Sequence, residues 1–145
     1  MNVRPAICIV ENGKLLTMRY RYGNTDVYNL PGGNLEFGEK MAESLIRELQ
    51  EELKITVEVG EMLCLADVFI EEKQKQSLHT IFRGKITSGI PELNPEETSA
   101  LGIHWLPLEE LKTVRLYPAI GNELIKAILN ELPNPFLGRV VQPWA

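Results

Sequence analysis

The chain has 145 residues, of which 44% are hydrophobic and 24% are charged, and its formal net charge is −5. This length suits one globular domain over residues 1–145 and is too short for two. The acidic balance argues against the broad positive surface that grips duplex DNA or RNA, and no apolar run approaches the roughly 18 to 20 residues that cross a bilayer. We therefore expect a cytoplasmic protein with neither duplex nucleic acid nor membrane as a partner.

The first forty residues alternate short apolar runs with turn residues. Ala6 to Val10 and Leu15 to Tyr20 predict two strands. Asn12-Gly13 between them suits a tight hairpin turn, because both residues tolerate positive φ. A third strand is predicted from Val27 to Leu30, where Pro31-Gly32-Gly33 stops it.

From Glu39 to Leu53 the period of the apolar residues becomes helical. The pattern predicts one buried stripe, formed by Ala42, Leu45, Ile46, Leu49 and Leu53. This segment has the strongest helix signal in the sequence.

Two longer strands are predicted from Ile55 to Ile70 and from Ser77 to Thr87, joined by the charged connection Glu71 to Gln76. A loop rich in Pro, Glu and Asn follows over Ser88 to Thr98. The remaining predictions are a short strand over Ile103 to Leu106, a helical turn over Leu108 to Leu111, a last helix over Pro118 to Leu132 and a Pro-rich tail.

Strands interspersed with helices predict an α/β fold, an α/β/α sandwich around a mixed β-sheet. Cys8 and Cys64 both lie in apolar stretches without a nearby Cys or His. We interpret them as reduced core residues rather than a disulfide or a metal site.

Three carboxylates on the main helix, those of Glu48, Glu51 and Glu52, are spaced i, i+3 and i+4 and therefore share a face. Like charges this close are unfavourable by a few tenths of a kcal/mol per pair, so a compensating cation is expected. Mg²⁺ prefers a few carboxylate oxygens together with waters and phosphates. Taken alone, a Glu-rich helix face is more often a solvated surface.

Two neighbouring features extend this cluster. Arg47 lies four residues from both Glu43 and Glu51, so it can hold a carboxylate in place. Gly32 and Gly33 let the backbone approach closely, so a carbonyl or amide there can face a metal or a phosphate oxygen.

The order and spacing of the whole segment favour a cation-binding cluster over a solvated helix face. Gly33, Glu39, Arg47-Glu48-Leu49, Glu51-Glu52 and Ile55 follow G-x5-E-x7-R-E-U-x-E-E-x-G-U, where U is a bulky aliphatic residue. This segment resembles the Nudix box. Its single departure is Lys54, where the family has the glycine that closes the helix. A side chain there costs about 1 kcal/mol if the left-handed conformation is kept, so we expect the helix end to differ locally without affecting the chemistry.

The resemblance implies a Nudix pyrophosphohydrolase, in which water attacks phosphorus in a nucleoside diphosphate linked to another group X, with Mg²⁺ or Mn²⁺ as cofactor. It implies Glu48, Glu51 and Glu52 as metal ligands, with the Gly32 carbonyl as a further ligand candidate. Arg47 is implied as the orienting residue and Glu39 as a supporting acid. Substrates of similar proteins include nucleotide sugars, ADP-ribose-like compounds and (d)NTPs.

Similar proteins often carry another acid in the loop before a tryptophan-bearing strand, where it serves as general base or extra ligand. Glu96 and Glu97 precede Trp105 here, and Glu97 is the preferred candidate. An exposed acidic loop is the alternative interpretation.

The substrate-binding candidates are Arg19 and Arg21 for phosphate, Gly33 for close backbone approach and Phe37 for stacking on a base. Solvent-facing arginines and core aromatics are the alternatives. Further aromatic candidates are Tyr20, Tyr28, Phe69 and Tyr117. We assign no role to His79 or His104.

Two other functions are compatible with such a fold. One is a non-catalytic module that senses nucleotides, although a damaged box is typical of that class and every carboxylate is present here. The other is a prenyl diphosphate isomerase, against which stand the short chain and the lack of a clearly placed catalytic cysteine, with Cys64 left open. Dimers are common among similar proteins, so a homodimer through the first hairpin or the last helix is a further expectation.

Overall fold

Eight β-strands and two α-helices are formed within residues 1–144, which are the residues that the computed structural model describes. The strands are β1 (Asn2–Glu11), β2 (Lys14–Tyr22), β3 (Thr25–Asn29), β4 (Thr56–Ile70), β5 (Lys75–Ser88), β6 (Gly102–Pro107), β7 (Leu116–Tyr117) and β8 (Phe136–Val141). The helices are α1 (Met41–Leu53) and α2 (Gly121–Ile128), with short 3₁₀ turns at Glu71–Lys73 and Leu108–Lys112.

The strands form a mixed sheet in the order β7-β3-β2-β1-β5-β4-β8, and β6 pairs with β2. The pairs β1–β5, β3–β7 and β4–β8 are parallel, and the other pairs are antiparallel. Strand β1 is buried on both faces: Ala6 and Cys8 pack in the cluster that contains α2, and Ile7 and Ile9 pack in the cluster that contains α1. The predicted α/β/α sandwich is therefore confirmed.

Strands β1 and β2 separate soon after their hairpin, and this separation positions the glycine loop. Their pairing is limited to Val10 with Leu15 and Glu11 with Lys14. Further along β1 the segment 31–35 takes the vacated hydrogen bonds: Ile7 N–H donates to Pro31 O at 2.9 Å and Gly33 N–H to Pro5 O at 3.3 Å. The glycines thus lie against the centre of the sheet.

The predicted stripe on α1 was too wide. Leu45, Leu49 and Leu53 are buried, but Ala42 and Ile46 are exposed. The helix starts at Met41 rather than Glu39 and packs one narrow face on the sheet, so residues at the edge of the stripe remain in solvent.

The predictions for the C-terminal third also need correction. Helix α2 covers Gly121–Ile128 instead of Pro118 to Leu132, and Asn130 beyond it has a left-handed φ of 59°, which a continuing helix excludes. The tail that its prolines marked as irregular contains β8, which adds to the sheet beside β4. Proline-flanked residues can form such a strand because an edge position leaves one side unpaired.

Cys8 and Cys64 are free and buried, as predicted, and burial raises the pKa of Cys8 to about 12. Neither helix of the described chain has the length and apolar content needed to cross a membrane.

Candidate active site

Arg47 on α1 makes a forked contact with Glu39. Its Nε donates to Glu39 Oε2 at 2.7 Å, and its Nη2 donates to Glu39 Oε1 at 3.0 Å. The guanidinium hydrogen bonds hold the pKa of Glu39 below its usual range. Two parallel bonds fix the plane of the guanidinium, so its remaining nitrogen points in a defined direction.

That remaining nitrogen reaches two further carboxylates. Arg47 Nη1 donates to Glu48 Oε1 at 3.0 Å and to Glu51 Oε2 at 3.3 Å. The predicted contact with Glu51 is therefore present. Glu43, which the sequence also placed within reach, instead accepts the backbone N–H of Lys40 at 3.0 Å and caps the start of the helix.

Glu52 lies beside Glu48 as a second pair of neighbouring carboxyl groups. Glu52 is half-buried, and burial first, then the neighbouring Glu48 charge, raises the pKa of Glu52 to about 8. Arg47 contacts the carboxylates of Glu48 and Glu51, and Glu52 is the member of the cluster that it does not contact. Within residues 1–144, no three acidic, histidine or cysteine side chains come together closely enough to hold a metal ion as they stand.

A side chain at Gly33 would displace the carboxylate of Glu48 from its observed position. A Cβ built on Gly33 would lie 2.5 Å from Cδ and Oε1 of Glu48. Gly32 is equally confined, since a Cβ there would collide with the backbone carbonyl of Pro5 on β1. The two glycines let the loop lie between β1 and the carboxylate, as the close-approach prediction requires.

Glu97 lies on a loop that is tied to the C-terminal end of α1. Asn94 in that loop donates from its backbone to Glu52 O at 3.0 Å and from its side chain to Glu51 O at 3.1 Å. Thr98 bonds the Tyr20 hydroxyl at 3.0 Å. The Glu97 side chain is exposed on this anchored loop.

Arg19 and Arg21 both face Asp26. Arg19 Nη1 lies 3.5 Å and Arg21 Nε 2.9 Å from Asp26 Oδ1. Arg19 also donates to His104 Nε2 at 3.1 Å. Phe37 is fully exposed in the loop before α1. The side chains of Arg19, Arg21 and Phe37 therefore make no contact with Arg47 or with the carboxylates that it binds.

A cation that the sequence prediction missed is Arg4 on β1. Its guanidinium is half-buried, lies over the ring of Tyr117 at 5.6 Å from the centroid, and opposes the rise in the pKa of Glu52. Only its position at the start of a buried strand distinguished Arg4 in the sequence, because the approach of β1 to α1 and β7 is a tertiary contact.

Comparisons with known proteins identify the family of this chain. The family model of the NUDIX domain matches residues 1–127. The chain is 25% identical over 131 residues to Nudix hydrolase 5 of Arabidopsis thaliana, covering 86% of this chain and 42% of that protein. It is 31% identical over 105 residues to a MutT-like protein of Streptomyces ambofaciens, covering 72% of this chain and 62% of that protein. The chain thus spans less than two thirds of the length of these relatives.

Solved structures share the fold. A NUDIX hydrolase from Nitrosomonas europaea superposes with a TM-score of 0.73 at 20% identity, over 92% of each chain.

Proposed function

The chain belongs to the NUDIX domain family, and from this premise we propose that it is a metal-dependent pyrophosphohydrolase acting on a nucleoside diphosphate linked to another group. The observation that carries the proposal is the guanidinium of Arg47, which holds Glu39, Glu48 and Glu51 at once. Nucleotide sugars, ADP-ribose-like compounds and (d)NTPs are the substrate classes to test.

The carboxylates fit a hard divalent cation, Mg²⁺ or Mn²⁺. Glu48 lies against Gly33 of the glycine loop, and Glu52 is half-buried beside it, so oxygen ligands from both side chains and from the loop are close together. Glu48, Glu51, Glu52 and the Gly32 carbonyl would hold the ion, all through oxygen atoms. Bound there, a divalent cation supplies charge neutralisation for the phosphates and acidifies a coordinated water.

The remaining residues act by position and charge. Arg47 keeps the Glu48 and Glu51 oxygens oriented toward the substrate side of α1. Glu97 is the base that takes a proton from the attacking water, and Asn94 fixes its loop to the helix. Arg4 stands beside the site as a donor for a phosphate oxygen.

The test is turnover of a substrate panel with Mg²⁺ or Mn²⁺ by the wild type and by Glu52→Gln. We expect the variant to lose more activity than the roughly 10- to 100-fold that removal of an orienting partner costs. Glu43→Gln is the matched control on the same helix, because glutamine still accepts the Lys40 N–H. Nucleotide binding by the wild type without turnover of any compound would favour the sensing module instead.

A further inference from the structure

The loop that carries Glu97 is attached to the rest of the protein at both ends. At one end, Asn94 is hydrogen-bonded to the last turn of α1. At the other end, the side-chain oxygen of Thr98 lies 3.0 Å from the hydroxyl of Tyr20 on β2. Between these attachments, the backbone N–H groups of Glu97 and Thr98 both donate to Asn94 O at 3.0 Å. Residues 94–98 thus form one compact turn held between α1 and β2.

The attachment to Tyr20 has a rigid support. Tyr20 is paired with Val27 of β3 in the sheet, and its side chain packs against the buried cluster that contains α1. Its ring is nearly parallel to that of Tyr22, with 6.2 Å between the centroids and 6° between the planes. A tyrosine has only two side-chain torsions, so a packed ring holds its hydroxyl in a defined position at low entropic cost. The Tyr20 hydroxyl is therefore a fixed point for the turn.

The Thr98 hydroxyl connects this fixed point to the end of the turn. Its oxygen accepts the Ala100 N–H at 3.1 Å, and a threonine hydroxyl offers one proton and two lone pairs. One proton and one lone pair therefore remain for the Tyr20 hydroxyl, and either oxygen can be the donor. A further bond to β2, from Leu101 N–H to Arg19 O at 2.7 Å, lies beyond the turn. The Tyr20 hydroxyl thus fixes the turn itself.

Tyr20 also lies near the proposed metal ligands. Burial mainly, and the charge of Glu52 in addition, raise the pKa of Tyr20, so Glu52 is near enough for its charge to act on the phenol. The Glu97 side chain is exposed, and its direction therefore depends on the backbone of the turn. The same tyrosine borders a proposed ligand and holds the turn that carries the proposed base.

We propose that Tyr20 is a positioning residue, whose hydroxyl binds Thr98 and thereby holds the turn that carries Glu97 against the C-terminal end of α1. Glu97 can take a proton from the attacking water only when its carboxylate reaches that water, and a misplacement of about 1 Å costs on the order of 100-fold in rate. Tyr20 needs no contact with the substrate for this role. The inference rests on the proposed function and adds a residue to it.

The first test is the kinetic effect of Tyr20→Phe, which removes the hydroxyl and keeps the ring. We expect kcat to fall about tenfold and KM to stay within about twofold, because the hydroxyl places the base and does not bind substrate. Thr98→Val should have the same effect, and Thr98→Ser, which keeps a hydroxyl, should keep the wild-type kcat. Tyr22→Phe is the matched control on β2 and should show wild-type kinetics, because the Tyr22 ring packs on Trp144 instead of the turn.

Double variants separate positioning from a general structural effect. In a Glu97→Gln background the proposed base is absent, so adding Tyr20→Phe should lower kcat no further. The double variant with Tyr20→Phe and Thr98→Val should match either single variant, because both changes remove the same hydrogen bond. Effects that multiply in either pair would overturn the proposal, because Tyr20 would then act independently of the turn.

Amide hydrogen exchange, followed by NMR, tests the attachment without substrate or metal. In Tyr20→Phe we expect the amides of Glu97, Thr98 and Ala100 to exchange about tenfold faster than in the wild type, because the turn opens more often. The Asn94 amide, which is bonded to the last turn of α1, should keep its wild-type rate. Unchanged exchange of all four amides would overturn the proposal.

These outcomes separate the inference from the proposed function. Hydrolysis by the wild type with an undiminished kcat in Tyr20→Phe would overturn the positioning role and leave the hydrolase proposal standing. Faster exchange of the turn amides in a protein that hydrolyses no compound would overturn the hydrolase proposal, together with the role of Tyr20 in placing a base.

Discussion

The guanidinium nitrogens of Arg47 donate hydrogen bonds to three carboxylates, and this arrangement needs a planar group with donors in fixed directions. Nε and Nη2 bind Glu39, and Nη1 binds both Glu48 and Glu51. A lysine has one compact ammonium group and cannot keep the same directions fixed.

We predict that Arg47→Lys lowers kcat by roughly 10- to 100-fold, because the charge stays while the orientation of Glu48 and Glu51 is lost. Steady-state kinetics on the substrate found in the panel would measure this. Arg83→Lys, which alters a pair with the exposed Glu61, is the control and should keep wild-type kinetics. Full activity of Arg47→Lys would refute the orienting role.

The buried histidine His79 affects the pH dependence of folding stability. The ring is fully buried, its Nδ1 has no hydrogen-bond partner within residues 1–144, and burial lowers its pKa from 6.5 to about 3. The unfolded chain therefore binds a proton near pH 6.5 that the folded chain refuses until about pH 3.

This difference predicts that the free energy of unfolding is fully present above pH 6.5 and falls as the pH drops toward 3. The loss is on the order of a few kcal/mol, at about 1.4 kcal/mol per pKa unit. Urea unfolding at several pH values should show a shallower pH dependence for His79→Gln than for the wild type. Equal slopes for the two proteins would contradict the assignment.

At the scale of elements, the end of α1 shows how a departure from the family pattern is tolerated. Lys54 keeps the left-handed conformation, with φ 58° and ψ 34°, and its N–H still closes the helix by bonding Gln50 O. The expectation that the helix end differs locally was therefore wrong. The terminal hydrogen bonds maintain the turn despite the Cβ.

We predict that Lys54→Gly raises the free energy of unfolding by up to about 1 kcal/mol, because glycine adopts this conformation without steric cost. Thermal or urea unfolding would measure the gain. Lys54→Ala keeps the Cβ and loses only the exposed, 3.5 Å pair with Glu92, so it should be nearly neutral. A glycine variant less stable than the alanine variant would show that the turn is not strained.

At the scale of the whole molecule, the C-terminal segment completes the sheet beyond the family match. Strand β8 pairs with β4, and the Gln142 side chain links this edge to Leu116 in β7 and to Ala119 just after it. The Gln142 amide is buried and has both of its polar atoms bonded.

We predict that Gln142→Ala destabilises the fold by about 1 to 3 kcal/mol for each backbone group left unpaired, those of Ala119 and Leu116. The exposed neighbour Val141→Ala should change stability by no more than about 0.5 kcal/mol. Denaturant unfolding of the two variants side by side would decide whether the tail is part of the cooperative domain. Equal stability of Gln142→Ala and the wild type would mean that it is not.

The sequence by itself determined what depends on near neighbours along the chain. The hairpin at Asn12-Gly13, the helix that carries Arg47 and Glu51, and the strand that contains Ala6 to Val10 all follow from local periods and turn chemistry. These features were predicted because their spacing fixes them wherever the element lies in the fold.

The tertiary structure alone decided what depends on distant segments meeting. The separation of β1 from β2 leaves room for the glycine loop. Burial and the nearby Glu48 charge raise the pKa of Glu52. The same packing brings Arg4 beside the site and sets Trp144 against Tyr22. No local period encodes these contacts, because they arise from the order of strands in the sheet and from the water that their packing excludes.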